Sequence, residues 1–166
     1  FEVSGTVAAL GAGVTGVAIG DRVATFPDKG GAYAEKCVAS AAGLMSVPGM
    51  AVYSASKHAV VGFSDSLRLE LARSHPGKVA VTTVCPSFIA TGMFDGAKPP
   101  RGTRWLSADE VASRALAASA QGRPWVREPA LVKLVPLLKA LPTRLADRLC
   151  AVFGIHGSME GFHGKR

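Results

Sequence analysis

The stretch SAAGLMSVPGMAVYSASKHAVVGFSDSLRLEL, residues 40–71, decides the fold. Within it Val60, Phe63, Leu67 and Leu71 recur every three or four residues. That period predicts a helix of about five or six turns with one apolar stripe, stopped by Pro76-Gly77. KVAVTTVCP, residues 78–86, comes next as a run of β-branched residues closed by Pro86, the composition of a strand covered on both faces. A second helix is expected in SADEVASRALAASAQG, residues 107–122, with a capping box formed by Ser107 and Glu110 and a stop at Gly122. PWVREP, residues 124–129, reads as a short strand. Residues 130–154 read as helical, with breaks at Pro136 and Pro142. This alternation predicts an α/β fold, a partial parallel sheet with helices.

Tyr53 and Lys57 stand four residues apart in the first helix, hence on one face. A phenol is a weak acid, with an ordinary pKa of about 10, and a neighbouring ammonium stabilises its ionised form. The pair is therefore suited to moving a proton. Ser40, thirteen residues upstream of Tyr53 at an expected strand end, can hold a substrate oxygen beside the phenol.

Residues 1–39 differ in character. GAGVTG, residues 11–16, has the Gly-x-Gly-x-x-Gly spacing of a dinucleotide-binding turn. Such a turn needs a helix starting at its glycines, because the helix N-terminus faces the pyrophosphate. Residues 17–38 instead hold β-branched residues, a Gly-Asp turn, Pro27 and the Gly30-Gly31 pair. The glycines are expected to form a turn between short strands, with no nucleotide bound there.

Composition bounds the partners. The chain carries a formal charge of +7, and residues 101–166 hold eleven Lys and Arg against five Asp and Glu. Aromatic residues are not interleaved with these cations, which argues against nucleic acid. Residues 130–153 combine leucine and valine with Lys133, Lys139, Arg144 and Arg148, a pattern that suits either core packing with a basic outer face or peripheral contact with a membrane surface. No apolar run is long enough to span a bilayer, and no secretory leader is read. Cys37, Cys85 and Cys150 are far apart and odd in number, as expected of free thiols in a reducing, cytoplasmic setting. No metal set is expected, and His156 and His163 lie in a glycine-rich tail.

Residues 40–71 as a whole closely resemble the active-site segment of the short-chain dehydrogenases/reductases, and Ser40, Tyr53 and Lys57 match its Ser, Tyr and Lys. PSFIATGMF, residues 86–94, resembles that family's nicotinamide-binding stretch, with Ser87 where a glycine is usual. The resemblance implies hydride transfer between an alcohol or ketone and NAD or NADP. Tyr53 would be the acid/base, Lys57 would favour its phenolate and bond the nicotinamide ribose, and Ser40 would orient the substrate oxygen. Pro86, Ile89 and Thr91 would hold the nicotinamide. The tail, residues 137–164, further resembles the retinol-dehydrogenase-like branch, which implies a lipophilic substrate.

Residues 1–26 and 30–38 resemble part of the GroES-like β-domain of medium-chain dehydrogenases and quinone reductases; Phe1 occupies a metal-ligand position, as in zinc-free members. The expected organisation is a β fragment over 1–39 joined near Ser40 to the C-terminal half of a short-chain dehydrogenase over 40–166. The resemblance covers neither the pyrophosphate nor the adenine site, so NAD and NADP are not distinguished. Glu35 and Lys36 are expected at a sheet edge or facing water, and the half sheet invites homo-oligomerisation. The alternative is a catalytically incompetent truncated or fused remnant with a structural or interaction role.

Overall fold

A computed structural model of the chain describes residues 3–6, 22–25 and 36–163. The chain divides into two compact units, Phe1–Ala34 and Glu35–Arg166. In the first, β1 (Val3–Thr6) pairs antiparallel with β2 (Arg22–Thr25), Val3 opposite Thr25 and Thr6 opposite Arg22. The GAGVTG hexamer lies outside the described residues, as do Phe1 and Glu35.

The second unit is a three-stranded parallel sheet, ordered β3 (Lys36–Val38), β4 (Thr82–Pro86), β5 (Trp125–Glu128). Lys36 sits opposite Thr82 in a strand whose partner among the described residues is β4 alone. Every residue of β4 is buried, as its β-branched composition predicts for the central strand. Helices cover both faces. Val84 of β4 and Val126 of β5, paired in register, pack with Leu106 and with Val111 and Ala118 of α2 (Ala108–Ala120). Val81, of opposite parity to Val84, packs against Leu67 and Leu71 of α1 (Ala51–Ser74). Leu71 is 3% exposed; burial of each such leucine stabilises the fold by about 1.5–3 kcal/mol.

The helix ends follow the sequence. His75 caps α1 through its N–H to the Leu71 carbonyl, and Gly77 then takes a φ of 71°, which ends the helix ahead of the strand. At the start of α2 the Ser107 hydroxyl accepts from the Glu110 N–H at 3.1 Å. Two expectations need correction. Phe63 is 50% exposed, because the buried side of α1 runs through Ser54, Ser64, Leu67 and Leu71. Pro136 does not break a helix: it opens α3 (Val135–Lys139), where its missing N–H would have had no helical partner. A 3-10 turn, Ala130–Leu134, precedes α3, and Pro142 caps α4 (Thr143–Val152), so residues 130–153 are three short pieces.

Candidate active site

The carboxyl ends of β3 and β4 are where an open parallel sheet offers a crevice. Ser40 lies two residues past β3, after Ala39 extends the ladder with its N–H to the Val84 carbonyl at 2.9 Å. In extended backbone (φ −163°) Ser40 caps a 3-10 turn, Ala41–Gly43, its hydroxyl oxygen accepting from the Ala42 N–H at 3.2 Å. That bond uses an oxygen lone pair and leaves the hydroxyl proton free to donate elsewhere.

Gly43 sets how close this turn comes to α1. A Cβ at Gly43 would stand 2.5 Å from the Lys57 carbonyl oxygen and 2.9 Å from Val61 Cγ2, so only glycine admits the observed approach. Beneath the turn lies Cys85, buried, with its thiol pushed up to about 11 by desolvation. The Arg127 charge and the Ser40 N–H, both facing the sulfur, partly oppose that shift.

On the first turn of α1, Tyr53 is half-buried, and the Lys57 ammonium lies 5.6 Å from its ring centroid. Phe94 meets the Tyr53 ring edge-on at 6.0 Å and 84°, and Phe88 meets Phe94 at 5.3 Å and 88°. Ser40, Tyr53, Ser87, Phe88 and Phe94 all line one cavity of about 280 Å³. Its other walls are largely apolar and come from residues 41–50, from Pro100 and Thr103, and from residues 131–158, Leu138 and Leu149 among them. Cys150 anchors that far wall, its sulfur 3.7 Å from Met45 Sδ.

The structure thus brings Ser40 and Tyr53 to one cavity, with Lys57 beside the Tyr53 ring but off the cavity wall. Pro86, Ile89 and Thr91 lie at or just beyond the end of β4 and do not line it. Pro86 is buried, Ile89 pairs with Leu106, and Thr91 is exposed, its N–H bonded to the Ile89 carbonyl at 2.8 Å. Gly43, Phe94 and the leucine wall were not singled out from sequence. The leucines of residues 131–149 carried a helical-spacing signal for an apolar face; Gly43 carried none.

At the carboxyl end of this open parallel sheet a seryl hydroxyl and a phenol thus share one cavity, with an ammonium beside the phenol ring. Residues 37–101 match the family model for short chain dehydrogenase. Among curated relatives, epidermal retinol dehydrogenase 2 of Mus musculus is 32% identical over 133 residues, 78% of this chain and 43% of that protein. Retinol dehydrogenase 10 of Homo sapiens is 34% identical over 113 residues, 63% of this chain and 32% of that protein. A solved short chain dehydrogenase from Burkholderia cenocepacia J2315, in complex with NADP, is 29% identical with a TM-score of 0.55, covering 71% of this chain and 47% of its own. Another from Burkholderia phymatum, in complex with NAD, is 28% identical with a TM-score of 0.50, covering 63% of this chain and 46% of its own. Residues 37–101 are thus similar to short chain dehydrogenases, and the longer matches are to retinol dehydrogenases. The chain spans less than half the length of these relatives.

Proposed function

We propose that the Glu35–Arg166 unit forms the substrate and nicotinamide side of an NAD- or NADP-dependent oxidoreductase acting on an alcohol or ketone with an apolar body. The observation that carries this reading is the shared cavity: Ser40 and Tyr53 are among the few polar residues lining an apolar chamber, with the Lys57 ammonium beside the phenol ring.

The donor set fits a nicotinamide riboside. Lys57 is half-buried and meets no carboxylate in an ion pair among the described residues, which leaves its ammonium for a ribose hydroxyl. The exposed Thr91 hydroxyl and the backbone of Pro86 and Ile89 suit the carboxamide, which both donates and accepts. When bound, NAD(P) supplies or accepts the hydride.

This chain's residues handle the proton. In the reducing direction Tyr53 gives its phenolic proton to the carbonyl oxygen; in the oxidising direction its phenolate takes the proton from the alcohol. Lys57 holds its ammonium 5.6 Å from the Tyr53 ring centroid, beside the phenol that moves the proton. Ser40, whose oxygen is already held by the Ala42 N–H, donates its hydroxyl proton to the substrate oxygen and fixes it near Tyr53. The apolar walls exclude water, which strengthens each of these charge interactions.

Saturation-transfer NMR on NADPH or NADH tests the assignment of the nicotinamide end. Transfer from the protein to the nicotinamide protons, lost in Lys57→Ala, is the expected result. Transfer to the adenine protons alone, or none at saturating cofactor, would overturn it and leave the fused-remnant reading.

A further inference from the structure

The far wall of the cavity continues onto the surface. Leu134, Leu137 and Phe153 line the chamber and are also exposed, Leu137 to 68%, so its mouth has an apolar rim. Helix α4 shows how that rim is built. At about 100° per residue the order around its axis is Cys150, then Leu149, then Leu145 and Val152, then Arg148 and Arg144. Cys150 is buried and Leu149 is cavity wall, whereas Leu145 and Val152 are exposed, Val152 to 62%. The helix therefore carries an apolar band facing outward, bordered by two exposed guanidinium groups. On α3 the exposed Lys139 follows Leu137 by two residues. Over residues 130–153 four exposed cations stand against one carboxylate, Asp147.

An exposed apolar band alone would not name its occupant. Long cationic side chains bordering it, and an apolar chamber opening through it, do. Arginine and lysine can lay their stems along acyl chains and lift their charges to anionic headgroups. No helix of the described residues is long and apolar enough to cross a membrane, so the contact is one of lying on the surface. We propose that the rim formed by α3 and α4 docks on an anionic lipid surface and passes apolar substrate between that surface and the cavity. The docking stands on the rim alone; the passage of substrate rests on the function proposed above.

The test is co-sedimentation of the 166-residue chain with phosphatidylcholine vesicles, with and without phosphatidylserine. Binding should require phosphatidylserine and should fall when salt rises from about 0.1 M to about 1 M. Each cation removed from the rim should lower the partition constant about fivefold, so Lys139→Gln, Arg144→Gln and Arg148→Gln together should lower it on the order of a hundredfold. Arg73→Gln serves as the control, because Arg73 lies about 30 Å along α1 from Tyr53, at the far end of that helix; it should change binding by less than about twofold. Absence of binding to phosphatidylserine vesicles, equal binding to both vesicle types, or a triple variant that binds like the control would overturn the docking. So would concentration-dependent dimerisation without lipid that the triple variant abolishes, since a second copy would then be the occupant. If vesicles bind as expected but the nicotinamide protons receive no saturation, the proposed function fails and the docking stands.

Discussion

Replacing Gly43 by alanine should push the Ser40 turn off helix α1. The added Cβ would begin 2.5 Å from the Lys57 carbonyl oxygen and 2.9 Å from both the Lys57 carbonyl carbon and Val61 Cγ2. Comfortable heavy-atom contact is about 3.5 Å, so the turn must retreat by roughly 1 Å. Two of the three obstructing atoms are helical backbone and cannot swing aside. Overpacking of this kind costs about 1–3 kcal/mol. For a chain of this length each kcal/mol moves the melting temperature by about 2–4 °C, so a loss near 2 kcal/mol lowers it by roughly 4–8 °C. Activity should suffer more, because a retreat of about 1 Å separates Ser40 from Tyr53, and such a displacement lowers kcat/KM on the order of a hundredfold. Gly62→Ala is the matched comparison. Gly62 lies within α1 with open space where its Cβ would go, and alanine there should stabilise by about 0.5–1 kcal/mol. Melting followed by far-ultraviolet circular dichroism, paired with NAD(P)H consumption, reads both effects. A Gly43→Ala variant that melts at or above the parent with unchanged kcat/KM would refute the packing argument.

Other perturbations probe the remaining parts. Leu106, 1% exposed against Val84, Val111 and Val126, should lose about 2–5 kcal/mol on replacement by alanine, read by urea denaturation. The hydrogen bond from Arg104 holds the Glu110 carboxyl below its ordinary 4.5, aided by the Arg104 and Arg114 charges and opposed by desolvation. A lowered folded-state value contributes stability that is complete above 4.5 and is lost as pH falls from there through the folded-state value. Melting temperature against pH should therefore decline less steeply below 4.5 in Glu110→Gln than in the parent, and identical slopes would count against the bond. Cys85, raised to about 11 by burial, should resist iodoacetamide near neutral pH until the chain unfolds, as read by peptide mass spectrometry. Equal alkylation of folded and unfolded chain would contradict its placement beneath the Ser40 turn.

Local chemistry was legible in the sequence to the extent that it was local. Tyr53 and Lys57 share a helix, so their spacing alone puts them on one face, and the stops at Pro76-Gly77 and the Ser107 cap are single-residue effects. The partial parallel sheet was readable from helix–strand alternation. Ser40 was read as a hydroxyl at an expected strand end and its role came from the resemblance, because nothing in its own surroundings says that the end of β3 lies against α1. Hydrophobicity misled at Phe63: the buried side of α1 runs through Ser54, Ser64, Leu67 and Leu71, so two serines are covered while the phenyl ring is left half exposed. The cavity wall was illegible for a different reason. Leu149 and Met45 are more than a hundred residues apart, and only tertiary packing brings them to one chamber. Pro136 was read as a breaker where it serves as a starter, since both roles arise from the same missing N–H.

One proton, moved by Tyr53, carries the proposed reaction. Turnover of an apolar ketone with saturating NADPH or NADH, compared between the parent chain and Tyr53→Phe, reads it directly. Consumption by the parent and a loss of about 10²–10⁴-fold in the variant are expected, with folding unchanged by circular dichroism. A Tyr53→Phe chain that reduces the ketone as fast as the parent would contradict that role of Tyr53.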